Sequence, residues 1–290
     1  KHSILKENLL NEINLNNNIN IIENNKIVEI TRNQNYVSVL TKNNKKICAK
    51  VLIAADGKNS FIKSFFKIPI YNFKYNQKAL TVNFEHTINH KNTAYEIFLP
   101  NGPLATLPML SLKKNVYKSS LIWSEEINTA NYFLKIKENK LKKIIQEKIS
   151  PYLGKVVKLD KVNLHPLSAH ICRRFYDNRV VLIGDSAHSI HPIAGQGWNL
   201  GMRDIKYFYD TLEEYLKLGI DIGSKEVLKS YNEKRTADVL SMFFITHGLN
   251  KIFSSKSTTI NHIRSLGFNF INNNKKLNKI LVKYAMGINL

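Results

Sequence analysis

Cysteine is scarce: Cys48 and Cys172 are the two among 290 residues. Two cysteines cannot build a disulfide framework and no CxxC pair suggests zinc, so a reducing compartment is expected. Arginine is scarce as well. Seven of the 43 basic residues are arginine, and the remaining lysines are scattered among many Asn and Ile. The formal net charge of +21 would by itself raise nucleic acid or an anionic membrane as a partner. A phosphate-reading face favours the bidentate arginine fork, so this lysine-dominated charge reads as compositional drift and nucleic acid is not an expected partner. No run approaches the roughly 18 apolar residues of a membrane span, and nothing at the start resembles a signal peptide. The expected localisation is cytoplasmic, with peripheral contact at the inner face of a membrane left open.

What is present is a core. With 43% hydrophobic and 10% aromatic residues, the chain suffices for one large domain or two modest ones. The first residues (Ile4, Leu5, Leu9, Leu10, Ile13) are spaced like the middle of an amphipathic helix, and the chain opens on Lys1, so a truncated protein is expected. Alternating polarity through Ile19 to Ile30 and Tyr36 to Leu40, broken by Asn24-Asn25 and Asn43-Asn44, predicts short antiparallel strands. Val51 to Ala55 is an apolar run that ends in Asp56-Gly57, the pattern of a buried strand stopping at a tight turn. From about Tyr71 to Ser124 strands are expected at Leu80 to Phe84, Ala94 to Leu99 and Ser119 to Trp123, with loops containing Pro100, Gly102, Pro103 and Pro108. Asn131 to Ile149 reads as a lysine-rich helix stopped by Pro151 and Gly154, and the period beyond Lys225 is helical.

The most informative stretch is Arg179 to Asp204, RVVLIGDSAHSIHPIAGQGWNLGMRD. A buried strand delivers Asp185, a loop stiffened by Pro192 follows, and Gly195-Gln196-Gly197 opens a long helix to about Leu218. Unpaired N–H groups at a helix start favour phosphate or an electron-rich ring edge, and an ionised carboxylate suits a polyol hydroxyl. A cofactor with an anionic end and a sugar alcohol fits both. A dinucleotide turn should follow its strand directly, whereas some ten residues intervene here; no Lys-Ser/Thr follows the glycines, which excludes a P-loop. Asp185, His188 and His191 could also be read as a two-His-one-carboxylate iron site, but no helix or strand converges them and no metal is expected. The simplest alternative is a loop with capping residues and a satisfied histidine.

The same stretch resembles, position for position, the signature of the ubiquinone-biosynthesis hydroxylases, a branch of the class A FAD-dependent aromatic monooxygenases. The match runs through His191-Pro192-Ile193-Ala194-Gly195-Gln196-Gly197, Asn199, Gly201 and Asp204. Leu52 to Ser60 (LIAADGKNS) resembles the family's second nucleotide motif; AYEIFLPNGPLATLP and LIWS resemble its substrate-domain sheet; residues 219–235 and GLNKIF resemble its carboxyl-terminal helices. The resemblance implies an α/β fold: a Rossmann-like FAD-binding domain, an inserted antiparallel-sheet substrate domain and carboxyl-terminal helices. The implied division is 1–70 and 167–222 for the FAD-binding parts, 71–166 for the substrate domain and 223–290 for the helical region.

By that resemblance the protein is an oxidoreductase placing one atom of O2 on the ring of a polyprenylated phenol, with electrons from NAD(P)H or another donor, and these residues alone are expected to be inactive. No side chain is expected as the indispensable catalyst, because the flavin carries the hard step. Asp56 and Gly57 would border the flavin pyrophosphate, Asp185 would hold ribityl or ribose hydroxyls, and Pro192, Gly195, Gln196, Gly197 and Asn199 would face the flavin ring. Other quinone-biosynthesis proteins and a membrane surface are further implied partners. There are departures: the family's opening strand, glycine-rich turn and helix are absent from these residues, Lys63 stands where arginine is usual, and Trp198 occupies a variable position that is more often aliphatic. The first departure leaves a second reading open, a non-catalytic subunit of flavoprotein-like fold in a quinone-synthesis complex.

Overall fold

The computed structural model describes residues 2–254 except 112 and 114, together with scattered positions between 267 and 280. Helix α1 (His2–Asn14) precedes a three-stranded antiparallel meander, β1 (Ile27–Arg32), β2 (Val37–Thr41) and β3 (Lys46–Ala49). Next come β4 (Leu52–Ala54), the short helix α2 (Phe61–Phe65), the long strand β5 (Ile70–His86), then β6 (Tyr95–Leu99), β7 (Gly102–Met109) and β8 (Tyr117–Glu126). Helices α3 (Ile127–Lys135) and α4 (Glu138–Leu153) lead to β9 (Val156–Leu159), β10 (Asn163–Cys172), β11 (Tyr176–Asp177), β12 (Val180–Leu182) and β13 (His188–Ser189). Two long helices follow, α5 (Gln196–Lys217) and α6 (Lys225–Ser254).

The largest sheet runs β13-β10-β5-β8-β7-β6, with β9 also paired to β5. Its side chains alternate between two environments, as period two requires. Leu104 on β7 and Leu121 and Trp123 on β8 point into a core shared with Phe133, Leu141, Ile145, Ile149 and Leu153 of α3 and α4. Ala105, Leu107, Ile122 and Ser124 lie on the opposite face and line a cavity. A second core is built where β12 pairs in parallel with β4, under Ala169 and Ile171 of β10, Leu200 and Phe208 of α5, and Leu228, Tyr231 and Val239 of α6.

Some expectations need revision. Two helices replace the single one expected over Asn131 to Ile149, and the second continues through Pro151 to Leu153 before Gly154, at φ 72°, ends it. A proline this close to the carboxyl end removes one ladder bond without breaking the packed face. Strand β7 occupies the segment read as loop; its prolines, Pro103 and Pro108, stand opposite Phe98 and Ser119 in the ladder. Strand β4 is not buried throughout: Ile53 is 48% exposed and lines a cavity with Phe61. Ile4, Leu5 and Leu9 of α1 are exposed too, while Leu10 and Ile13 are half-buried. Among the described residues no helix is long and apolar enough to cross a membrane.

Candidate functional site

Strand β12 is fully buried and ends at Ile183, where the chain turns through Gly184 (φ 61°) to expose Asp185. The turn lies against α5, with an added Cβ at Gly201 only 3.7 Å from the Gly184 Cα. An added Cβ at either glycine would make ordinary van der Waals contact, so it is the left-handed φ that favours glycine at 184. Asp185 and Gly184, with Gly57, Ile183, Gly197, Trp198 and Gly201, line a cleft of about 480 Å³. No hydrogen bond is found for the Asp185 carboxylate among the described residues, and Asp185 is exposed, so it faces the cleft as a free acceptor.

The loop from His191 to Gly195 is held from behind. His191 is fully buried, and burial, with the charge of His247 adding to it, pushes its pKa down to about 4, so the ring is neutral at pH 7. Its Nδ1 accepts from the Ile193 N–H at 3.3 Å, which leaves Nε2–H to donate to Gln77 Oε1 at 3.2 Å. Gln77 also accepts from Asn250 Nδ2 at 3.2 Å, joining β5, the loop and α6 through one amide. Gly195 then takes the left-handed conformation, φ 62°, at the N-cap of α5. An added Cβ there meets nothing within 4 Å. Gly195→Ala is therefore expected to cost only the backbone strain, about 1–2 kcal/mol in urea unfolding.

Pro192, Gly195 and Gln196 line a cavity of about 320 Å³, bounded by Ala94 and by Glu96, Ala105, Leu107, Ile122 and Ser124 of the large sheet. One short loop is thus the wall between a glycine-fronted cleft and an apolar cavity. Asn199 Nδ2 donates to Gln196 Oε1 at 3.2 Å, fixing the amide of a largely buried side chain at that wall. Of the other residues singled out, Gly57 lines the Asp185 cleft, while Asp56 fronts an adjoining cavity with Leu52, Ala54 and Phe61 and accepts from the Ile62 N–H at 3.3 Å. The suggested iron triad does not converge: His188 Nε2–H donates to Asp204 at 2.8 Å, His191 is taken by Gln77, and among the described residues no three such groups could hold a metal.

Asp204 was legible as part of the motif but not as a junction. Its fully buried carboxylate accepts from the Gly184 N–H at 2.7 Å, from His188 and from Arg235 Nε at 2.7 Å. Burial pushes this carboxyl up, but the His188 hydrogen bond, Arg235 and the Gly184 amide outweigh it and hold the pKa below the usual range. Arg235 is itself fully buried and also pairs with Asp238, which takes Arg203 at 3.1 Å.

The residues fit a flavin. Added Cβ atoms at Gly57 and Gly197 meet nothing within 4 Å, so the cleft is open where a flat ring would approach the backbone, and an unpartnered carboxylate stands at its edge. Comparison with known proteins agrees. The FAD binding domain family matches residues 7–242. The chain belongs to this family. Ubiquinone hydroxylase UbiL of Rhodospirillum rubrum is 30% identical over 262 residues, covering 90% of this chain and 60% of that protein. The 3-demethoxyubiquinol 3-hydroxylase of Escherichia coli is 25% identical, covering 99% of this chain and 72% of that protein. Among solved structures, p-nitrophenol 4-monooxygenase PnpA from Pseudomonas putida DLL-E4 aligns with a TM-score of 0.74 at 20% identity, covering 95% of this chain and 69% of that one. The chain thus spans about 60% of the length of the first of these relatives, and it shares its fold with p-nitrophenol 4-monooxygenase PnpA.

Proposed function

We propose that this chain contributes the flavin-ring side and the substrate cavity of a monooxygenase that hydroxylates the ring of a polyprenylated phenol in ubiquinone biosynthesis. The observation that carries the reading is the shared wall: Gly197 and Trp198 front the cleft beside Asp185, while Pro192, Gly195 and Gln196 front the apolar cavity. A flavin bound in the cleft supplies the electron transfer and the activation of O2, with NAD(P)H or another donor as reductant. The chain's own part is to bind, orient and exclude water. Asp185 accepts hydroxyls of the cofactor's sugar alcohol, and the unpaired amides at the start of α5 stabilise negative charge near Gly197 and Asn199. Gly57 borders the same cleft, and Asp56 keeps its own loop closed through Ile62. Ala105, Leu107 and Ile122 hold an aromatic ring against Pro192, in a volume typical of small-ligand sites. In this reading residues 1–70 and 167–222 serve the flavin and 71–166 the substrate, with 223–290 as the carboxyl-terminal helical region.

A lipid-tailed phenol must be met at a membrane or handed over by another quinone-biosynthesis protein. Phe244, Ile245 and Ile252 of α6 are exposed and suit either contact. The further apolar and cationic residues of the sequence that would suit such contact, Ile263, Arg264, Leu266, Phe268, Leu281 and Lys283, lie outside the described residues. The test is incorporation of isotope: the flavin-reconstituted protein, given a short-chain prenylphenol, reductant and ¹⁸O2, is expected to yield a product heavier by one ¹⁸O atom. Consumption of reductant with unlabelled phenol recovered would count against the assignment.

A further inference from the structure

The apolar cavity carries a polar group that the packing around it does not use. Along β8 the side chains alternate: Leu121 and Trp123 enter the core, while Ile122 and Ser124 line the cavity. Ser124 is 2% exposed, and its hydroxyl makes no hydrogen bond among the described residues. Other polar residues of the lining are occupied or open to water. Asn199 holds the Gln196 amide, Tyr95 packs on Tyr152 with ring centroids 4.9 Å apart, and Glu96 is exposed. On the core face the Thr106 hydroxyl and the Trp123 N–H are sealed off without a partner. Ser124 differs from them, because it borders a space of about 320 Å³ that a ligand can enter. A buried hydroxyl that has lost water and gained no partner costs free energy, and a ligand that supplies the partner removes that cost.

Backbone contacts fix where that hydroxyl stands. At Gly102, φ 148°, an added Cβ would lie 2.5 Å from the Ser124 carbonyl oxygen and 3.0 Å from both Ser124 Cβ and Gln77 Nε2. The β6–β7 turn therefore closes on Ser124 as only glycine allows. Gln77 in turn holds His191, the neighbour of Pro192, at 3.2 Å. Ser124 thus stands at the end of the cavity beside the Pro192 loop. Leu107 marks the other end: its ladder partner is Ser120, four residues from Ser124 along β8 and so about 13 Å away at the ordinary rise of a strand. Ala105 and Ile122, paired with each other, lie between, and Leu107 is 41% exposed. The cavity is polar beside the loop, apolar in its middle and open to solvent at Leu107.

Resting on the reading of this cavity as the site of a prenylated phenol, we propose that Ser124 is a specificity-determining residue whose hydroxyl bonds the phenolic hydroxyl. That bond turns the oxygen-bearing edge of the ring toward the Pro192 loop and sends the prenyl chain past Leu107 to the surface. Serine and phenol each donate and accept, so the pair is satisfied in either direction. The experiment is calorimetric titration of the full chain, with FAD present, using a short-chain prenylphenol and the prenylbenzene that lacks only the hydroxyl. The affinity ratio of phenol to prenylbenzene is expected to fall about tenfold from the wild type to Ser124→Ala, the size of one buried hydrogen bond. Ser124→Cys, close in volume and a weak donor, is expected to lower the ratio as well, and it carries the test if the alanine variant does not fold. Leu107→Ala should weaken both ligands alike, and Thr106→Val, which removes a hydroxyl from the core face, should leave the ratio unchanged. A fall of less than about threefold in Ser124→Ala, or an equal fall in Thr106→Val, would overturn the role of Ser124 while leaving the cavity as the ring's site. Failure of both ligands to bind the wild type would overturn the cavity reading and the role of Ser124 with it.

Discussion

Asp204→Ala is expected to lower unfolding free energy by about 3–5 kcal/mol, the usual cost of stripping one partner from a buried ion pair. The change takes one of two carboxylate partners from the fully buried Arg235, leaving Asp238, removes the acceptor of His188 and leaves the Gly184 amide unpaired at the end of β12. Asp204→Asn should fall short of rescue, because its NH2 group would face one of three donors. The pH dependence follows from the lowered pKa. A carboxylate whose folded pKa lies below its unfolded value of roughly 3.9 stabilises fully above that value and stops doing so as pH falls through the folded pKa. The wild type should therefore lose this contribution only below about pH 4, and the acid limb of the Asp204→Asn stability profile should be flatter. Urea unfolding between pH 3 and pH 7 measures both; a destabilisation under about 1 kcal/mol would mean that the network is not what anchors the turn.

Asp185→Ala is expected to act on the other side of the same turn, with the opposite division between stability and binding. The wild-type carboxylate is exposed and has no hydrogen-bond partner among the described residues, so its loss should change stability by no more than about 0.5 kcal/mol. Flavin affinity should fall by about 1.5–3 kcal/mol, on the order of ten- to 150-fold, the worth of a charge-assisted hydrogen bond. Fluorescence titration with FAD, run beside urea unfolding, separates the two. A destabilised variant with unchanged FAD affinity would identify Asp185 as a loop cap instead.

The parts of the site legible in sequence were those whose signal is local. The apolar run of β12, the Asp185 turn and the glycines opening α5 lie within about twenty residues, and each has its own short-range cause: burial on both faces, a left-handed turn, a helix start. Strand β7 was missed because Pro103 and Pro108 argue locally for a loop, while its partners β6 and β8 and the core under Leu104 decide the matter. Ile53 was expected inside because hydrophobicity does not say which face of a strand is covered. The Asp204–Arg235 pair, the Gln77 crossbar and the Lys63–His170 contact join residues 31, 114, 173 and 107 positions apart. No periodicity announces such contacts. The one available hint for the first was a pair of adjacent charges, Arg203-Asp204, in the middle of a helix whose apolar stripe runs through the same turn.

The loop from Pro192 to Gly197, as a wall common to flavin and ring, is what couples the two sites. The measurement is the visible absorbance spectrum of the protein saturated with FAD, recorded while a prenylphenol is added. The expected result is a saturable shift of the flavin bands, abolished in Ala105→Trp, where the added ring fills the cavity that Ala105 lines, with FAD affinity retained. A flavin spectrum indifferent to the phenol, or a shift that survives Ala105→Trp, would contradict it.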